Sequence, residues 1–351
     1  MTINERILDS SISHSVWLER YKSSVSSDVI AELNKGDKAL QAELIAGLID
    51  IKEAANQQKA AIGLAKKLAN TRGGTFSDLY LFIERELKKY AVYESDFQVR
   101  LMEKAAKLEA GAKLTMNVPK QSELKASVVD DAFRGRLLKE WFDGIKSADA
   151  QRLNDAVRTG IADGQTTDQI VRRIVGTKAR KYQDGVLDIA RRDAQAVTRT
   201  AIAHVSDQSK MALYEANADI IKGLKWVSTL DSRTSPICRE RDNKIYTIES
   251  APPIPAHFGC RSAKVPYLGP SSIKGTRASA VGQVPEDMNY GQWLKKQPVA
   301  VQNEVLGDKR AQLFRKGGMS IDKFQDKTGK LYRLDELKRR DAGIWNEVFE
   351  E

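Results

Sequence analysis

Apolar residues recur at helical spacing through the first third of the chain. From Gly36 to about Ala112 they return every three or four positions, and this spacing puts them on one face of a helix. The pair Gly73 and Gly74 interrupts the pattern. We therefore predict two long antiparallel helices joined at the glycine pair, because neither helix could bury its apolar face alone. The apolar positions are Leu40, Leu44, Leu48, Ile51, Leu79, Phe82, Ile83, Leu87 and Tyr90.

The middle of the chain predicts a linker followed by more helices. Residues 112–130 lose the helical period and contain Pro119, which indicates a boundary. We then predict a helical block, a helix from near Ala148 to the Asp-Gly-Gln sequence at 163–165, a helix that begins at a capping box, and one long helix over residues 188–217. The helical block has Phe133, Leu137, Leu138 and Trp141 on one face, and the capping box is Thr166 with Gln169.

The pattern changes after residue 221. LKWVSTL and NKIYTI alternate and are β-branched, which predicts two short strands, and DSRTSPICRERD between them predicts a tight turn. PPIPAHFGCRSAKVP predicts an ordered loop, since proline removes strand hydrogen-bond donors. GPSSIKGTRASAVGQVPED predicts a flexible connector. Helix resumes after it, with Pro298 near a helix start, and the chain ends in a short helix.

These elements predict a mainly α protein with a small α+β module that holds a short β hairpin and a proline-rich loop. Three domains follow from the pattern: a helical N-terminal region over residues 1–115, a central domain over 130–268 and a helical tail over 285–351. A chain of 351 residues is too long for one ordinary core.

Composition narrows the class of protein. The sequence has no run of about 18 apolar residues, so we predict no membrane span. The N-terminus lacks the apolar core of a secretory signal. Two cysteines are too few for a disulfide framework. We expect synthesis and function in a cytosol.

The positive charge is concentrated. The net charge is +10, and residues 171–200 hold eight Arg or Lys against three Asp. Such a segment would contact DNA phosphates without sequence preference, or it would form a solvated helical face. The candidate DNA contacts are Arg172, Arg173, Lys178, Arg180, Lys181, Arg191 and Arg192.

Cys238, His257 and Cys260 are the candidate metal ligands. Thiolate and imidazole suit zinc, but a structural site has four protein ligands, and Asp231 or His204 would have to supply the fourth. The alternative is a buried thiol pair with a histidine that hydrogen-bonds the loop. Catalytic motifs of zinc deaminases, zinc proteases, P-loop proteins and α/β-hydrolases are absent from the sequence. A cysteine activated by His257 as a nucleophile is the catalytic alternative.

WVSTLDSRTSPICRERDNKIY followed by PPIPAHFGCRSAKVP resembles the phage head morphogenesis proteins, the Mu F-like minor head proteins. The resemblance covers about residues 130–268. Many relatives have cysteine where this chain has Ser235 and Ser262, and both replacements remove potential metal ligands. The positions that match the family pattern are Trp226, Asp231, Arg233, Thr234, Cys238, Pro252, Pro253, His257, Cys260 and Arg261.

The resemblance implies a non-enzymatic minor component of a tailed-phage head, made in the host cytoplasm and placed inside the capsid near the portal. Its partners would be the portal protein, other capsid proteins and packaged double-stranded DNA. We expect the N-terminal helices to contact protein, the loop at 252–262 to brace the small module, and Arg233 and Arg261 to be held by Asp231 or by backbone carbonyls. The rivals are a nucleic-acid-modifying or toxin-like enzyme that uses Cys238, His257 and Cys260, and a DNA-binding protein outside the virion.

Overall fold

The computed structural model describes residues 3–110, 114–269 and 276–350, and within them the chain is mainly helical with a small β module. The predicted fold class is therefore confirmed. The first six helices are α1 Ile3–Glu53, α2 Gln57–Ala110, α3 Gln121–Asp130, α4 Leu138–Ala162, α5 Thr167–Val175 and α6 Val186–Glu215. The elements that follow are β1 Gly223–Val227, α7 Pro236–Arg241, β2 Ile245–Tyr246, β3 Ala263–Tyr267, β4 Thr276–Ser279, β5 Gly282–Pro285, α8 Tyr290–Lys295, α9 Val299–Leu306, α10 Asp308–Arg315, α11 Leu334–Arg340 and α12 Ala342–Phe349.

The chain forms two compact units, each built from separate segments. Unit 1 comprises residues 1–19, 94–119 and 207–351, and unit 2 comprises residues 20–93 and 120–206. Helices α1, α2 and α6 contribute residues to both units. The three domain ranges of the sequence analysis stay predictions.

The reversal between the two long helices lies at residues 54–56, so the predicted break at Gly73 and Gly74 is wrong. Asn56 is the N-terminal cap of α2, because its side-chain Oδ1 accepts a hydrogen bond from the backbone N–H of Lys59 at 2.9 Å. The two glycines lie inside α2, where glycine costs about 1 kcal/mol relative to alanine. Helix α1 also begins much earlier than the apolar pattern indicated, at Ile3.

Small residues let α1 and α2 approach closely in unit 2. A Cβ atom added to Gly36 would lie 2.5 Å from the Thr75 Oγ1 atom, and one added to Gly47 would lie 2.3 Å from a methyl carbon of Leu64. Around this contact the unit has an apolar core from α1, α2, α4 and α5, completed by Leu187 at the start of α6. This core stabilises unit 2 because it removes one apolar stripe of each long helix from water.

A buried ion-pair network, formed by Asp37, Arg72, Asp149 and Arg191, also lies in unit 2. The Arg72 Nε donates to the Asp149 carboxylate at 3.0 Å, while Arg72 and Arg191 both bind the Asp37 carboxylate. Burial is the main cause that raises the pKa of Asp149, and the Arg72 guanidinium opposes it. The network satisfies charges that would otherwise be costly to bury.

Two predictions for the middle of the chain need correction. Residues 121–130 form α3 rather than a linker, because Leu124 and Val128 lie one turn apart and are both buried. Helix α4 begins at Leu138 rather than near Ala148, so Phe133 and Leu137 of the predicted helical block lie before the helix and not on its face. It ends where predicted, with Gly164 in the left-handed region at φ +65°. The Thr166 capping box of α5 and the long helix α6 are confirmed.

The β module lies in unit 1 and is a three-stranded antiparallel sheet in the order β2-β1-β3. The two predicted strands correspond to β1 and β2. The predicted loop is too long, since residues 263–267 form β3; proline is tolerated at position 266 because β3 is an edge strand. The predicted turn between β1 and β2 contains the short helix α7, with Pro236 at its first position.

The C-terminal part of unit 1 is more ordered than predicted. Part of the predicted connector forms the β4–β5 hairpin, while residues 270–275 of it lie outside the described residues. Helices α8 to α10 confirm the return to helix, and Pro298 precedes α9. The tail holds two helices, α11 and α12, rather than one, and they pack with α8 to α10 around Trp293 and Phe314. Within the described residues, no helix combines the length and the low polarity that a membrane crossing requires.

Candidate functional site

Cys238, His257 and Cys260 come together in unit 1 as the sequence predicted. Helix α7 carries Cys238, and the proline-rich loop before β3 carries the other two. The Cys238 Sγ lies 3.8 Å from the Cys260 Sγ and 3.4 Å from the His257 Nε2. The ligand atoms of all three residues lie within 4.8 Å of one another. We call these three residues the Cys-His cluster.

The Cys-His cluster has an apolar wall and a half-buried imidazole. Cys238 and Cys260 are 1% and 2% exposed, and they pack with Trp226 and Ile254. The His257 Nδ1 lies 2.9 Å from the backbone oxygen of Phe258. A carbonyl can only accept, so Nδ1 carries the proton and Nε2 is left as an acceptor close to the Ser235 hydroxyl and the sulfur of Cys238.

The pKa values of the two thiols are shifted in opposite directions. Donation by the Cys238 thiol to the Cys260 sulfur, together with burial, raises the pKa of Cys238 far above its usual range. The same hydrogen bond lowers the pKa of Cys260, although burial opposes the shift. Of the two sulfurs, Cys260 is therefore the one whose thiolate form the pairing favours.

Ser235 and Ser262, the positions where the resemblance led us to expect cysteine, lie beside the cluster. The Ser235 Oγ is 2.7 Å from the His257 Nε2, and the Ser262 Oγ is 3.1 Å from the Ser228 Oγ. Ser235 and Ser262 each hydrogen-bond Cys238 as well. Hydroxyl groups thus occupy the two places where the resemblance implies further thiols.

The turn before α7 is held by Asp231. Its carboxylate accepts two hydrogen bonds from the Arg261 guanidinium, at 2.7 and 2.8 Å, and one from the backbone N–H of Arg233 at 3.0 Å. Burial opposes ionisation of Asp231, but the bonds from Arg261 outweigh it and hold the pKa of the carboxyl below its usual range. Thr234 Oγ1 donates to the Asp231 carboxylate and to the backbone oxygen of Thr229. Arg233 itself has an exposed side chain.

Residues 151–265, about a third of the chain, match the family model described as Phage Mu protein F like protein. This segment is Mu F-like. The match confirms the resemblance, and it includes the Cys-His cluster, the Asp231 turn and α6. The family is one of phage head morphogenesis. No curated protein and no solved structure matches the chain.

Buried charges that sequence reasoning missed fix the proline-rich loop of the Mu F-like segment. The Asp207 carboxylate on α6 accepts from the backbone N–H of Ile254 at 3.0 Å and from the Lys264 ammonium at 2.9 Å. Burial raises the pKa of Asp207, and Lys264 opposes that shift. Pro252 and Pro253 precede this anchor, with Pro253 exposed. The loop that supplies His257 and Cys260 is therefore held at a defined place on α6 and β3.

A second set of charges links β4 to the ends of the sheet strands through Asp242 and Ser228. Arg277 on β4 donates to both oxygens of Asp242 at 3.0 Å and to the backbone oxygen of Ser228 at 2.6 Å. Arg239, rather than Arg233, binds backbone carbonyls, among them that of Val305 at 2.9 Å. Asp207 and Arg277 gave no local signal in the sequence, since a single charge in a helix or strand is usually exposed.

The candidate fourth metal ligands do not join the cluster. Asp231 binds Arg261, and His204 lies in unit 2 with its ring against Phe133 at 5.5 Å. Among the described residues, the metal-ligand group that contains the cysteines holds only Cys238, His257 and Cys260. Their soft donors fit a transition metal such as zinc in donor type.

The basic residues of the Mu F-like segment fall into two sets. Lys178, Arg180 and Lys181 are exposed on a loop at residues 176–185, which we call the basic loop, and Arg172 is exposed on α5. Asp184 closes this loop by accepting from the backbone N–H and the hydroxyl of Thr177 at 2.7 and 2.8 Å.

The other three predicted DNA contacts are engaged elsewhere. Arg191 is 11% exposed and belongs to the buried ion-pair network. Arg173 lies 3.6 Å from Asp163, and Arg192 lies 2.9 Å from Asp188. Of the seven candidate contacts, Arg172, Lys178, Arg180 and Lys181 are therefore the exposed residues outside these ion pairs, while Arg192 is exposed but paired with Asp188.

Proposed function

We propose that this protein is a minor head protein of a tailed phage, located inside the capsid near the portal, where it acts in head assembly, in DNA delivery or in both. The match of residues 151–265 to the Mu F-like family carries the proposal. Its partners are the portal protein, other capsid proteins and the packaged duplex. The host cytoplasm is its place of synthesis and assembly.

The basic loop is the proposed contact with DNA. Lys178, Arg180 and Lys181 project three charges from one short loop, whose ends are fixed by the Asp184 hydrogen bonds. A fixed group of exposed cations suits phosphates of any sequence, because it needs no base contact. We leave Arg191 out of this surface because its guanidinium is buried against Asp37.

The end of the α1–α2 hairpin is the proposed contact with a capsid protein, and we favour the portal. Ile49 on α1 and Ile62 on α2 are 52% and 53% exposed. The close contact of Gly47 with Leu64 puts these two isoleucines at the same level of the hairpin. Ile45, one turn before Ile49, extends the apolar surface. Exposed apolar side chains at the end of a helical hairpin suit a protein-binding surface.

The structure gives little support to the catalytic alternative. A nucleophilic cysteine has to reach its substrate, but Cys238 and Cys260 are almost fully buried. Burial and pairing fit a role inside the fold.

DNA binding by the basic loop can be measured with a variant that replaces the three cations of the loop with neutral glutamine. We expect Lys178→Gln with Arg180→Gln and Lys181→Gln to weaken binding to duplexes of unrelated sequence equally. The slope of log affinity against log salt should fall by about 2 to 3, since each phosphate that a cation neutralises contributes about 0.9 to it. Fluorescence anisotropy at several salt concentrations gives both quantities.

The matched control removes three exposed lysines from the long helices, as Lys52→Gln with Lys59→Gln and Lys66→Gln. It changes the net charge by the same amount and should leave most of the affinity and of the salt slope intact. Equal reductions in affinity for the two triple variants would mean that net charge, and not the basic loop, attracts DNA. A strong preference for one duplex sequence would favour the rival DNA-binding protein outside the virion.

A further inference from the structure

The Cys-His cluster has the interatomic spacing of a metal site. In a tetrahedral zinc site, Zn–S bonds of about 2.3 Å place two sulfurs about 3.8 Å apart, and a sulfur and an imidazole nitrogen about 3.5 Å apart. The Cys238 Sγ lies 3.8 Å from the Cys260 Sγ and 3.4 Å from the His257 Nε2. Both distances match edges of the tetrahedron, and all three ligand atoms lie within 4.8 Å of one another.

The imidazole of His257 is also oriented as a ligand. Its Nδ1 proton is donated to the backbone oxygen of Phe258 at 2.9 Å, which leaves the Nε2 lone pair directed at the cluster. Histidines that bind metals usually donate their second ring N–H to a carbonyl or carboxylate in this way. The anchor of Ile254 on Asp207 fixes the loop that carries the histidine.

We propose that Cys238, His257 and Cys260 bind one zinc ion through three protein donors, with an oxygen of the Ser235 hydroxyl or of water in the fourth position. Two thiolates and a neutral imidazole balance the two positive charges of zinc, so the site can be buried. Zinc binding displaces the thiol protons, which pass to solvent. Soft sulfur donors favour zinc over magnesium or calcium.

The serines set the strength of the site. A hydroxyl is a poorer zinc donor than a thiolate, and Ser235 lies 2.7 Å from the nitrogen that the ion would take. The zinc therefore exchanges with chelators, unlike an ion held by four cysteines. Replacing the hydroxyl with a thiol at position 235 should convert the site to a tight one.

The test uses the full chain, freed of metal with a chelator under reducing conditions and titrated with Zn²⁺ or Co²⁺. We expect one ion per chain and thiolate-to-cobalt charge-transfer absorption. Ser235→Cys should bind Zn²⁺ at least about tenfold more tightly, and His257→Ala at least about tenfold more weakly. Phe258→Ala is the matched control, because it changes an exposed neighbour and keeps the carbonyl that orients the imidazole.

Three results would overturn the proposal. One is a wild-type chain that is folded by circular dichroism and binds neither ion at stoichiometric concentration. Another is equal Zn²⁺ affinity in the wild type and in His257→Ala. The third is a Cys238–Cys260 disulfide, seen as the loss of two hydrogens in the mass of protein purified from the cytosol. Cys238→Ser is less informative, because loss of a buried thiol can unfold the module by itself.

Discussion

His204 shows how burial determines the charge of a side chain in this protein. It lies on α6 with 6% of its surface exposed, and its ring packs against Phe133 at 5.5 Å. Burial lowers the pKa of His204 to about 4, and a hydrogen bond with the backbone of Asp131 opposes the shift only in part. The imidazole is therefore neutral in the folded protein near pH 7.

The pKa of His204 predicts a loss of stability in weak acid. The unfolded chain takes up a proton at this residue near pH 6.5, whereas the folded chain does so only near pH 4. The unfolded state thus binds more protons between these values, and the free energy of unfolding falls as pH decreases. From pH 7 to pH 5 the loss should be about 2 kcal/mol.

Urea unfolding of the wild type and of His204→Gln at pH 7 and pH 5 measures this contribution. Glutamine is neutral at both pH values and can donate to the Asp131 backbone, so the variant should lose less stability on acidification than the wild type. The difference between the two losses isolates His204 from the carboxylates that titrate in the same range. Parallel losses in the two proteins would show that His204 is not held neutral by burial.

At the residue scale, the sequence predicted site residues of types that are rare in this chain, and it missed buried residues of types that are common in it. Cys238, His257 and Cys260 drew attention because the chain has so few cysteines and histidines. Asp207 and Lys264 form an equally buried pair, but they lie far apart along the chain, and nothing in either local sequence distinguishes them from surface charges. Only the fold supplies such a pairing.

At the scale of elements, glycine has two opposite effects on the long helices. Gly36 faces Thr75, whose Oγ1 and Cγ2 atoms would lie 2.5 and 2.7 Å from an added Cβ atom. Gly74 has no atom within 4 Å of the same position. The first glycine is required by a close helix contact, and the second only weakens the helix.

Alanine substitutions at these two positions should therefore change stability in opposite directions. Gly74→Ala should raise the free energy of unfolding by about 0.5–1 kcal/mol, since alanine favours helix at no steric cost. Gly36→Ala should lower it by about 1–3 kcal/mol, because the clash with the branched side chain of Thr75 outweighs the gain in helix propensity. Thermal and chemical unfolding of both variants, with Gly63→Ala as a second open position, gives the comparison. Stabilisation by Gly36→Ala would show that α1 and α2 are not in close contact there.

The helical reversal illustrates which element boundaries the sequence can predict. Periodicity identified α1 and α2 as long helices, but the glycine pair pointed to the wrong break because a helix tolerates glycine where packing compensates. The signal that mattered was Asn56, a good N-terminal cap in an otherwise continuous apolar pattern. The capping box at Thr166 and Gln169 was recognised because both of its residues follow a clear Asp-Gly stop.

At the scale of the whole molecule, the chain builds each compact unit from segments far apart in sequence. Unit 1 takes residues from both ends of the chain and from 94–119, and the Mu F-like segment contributes to both units. Composition and local periodicity cannot reveal such an arrangement, because they report on neighbours along the chain. The family match could be anticipated from the order of short motifs, since that order can be read directly along the chain.

The proposed function requires this protein to be present in the virion. The most direct measurement is quantitative mass spectrometry of purified, DNA-filled particles of the source phage, with this chain counted against the portal protein and the major capsid protein. We predict a fixed, low ratio to the portal protein in every preparation. Absence from particles, together with abundance in the infected cell, would contradict the proposed role.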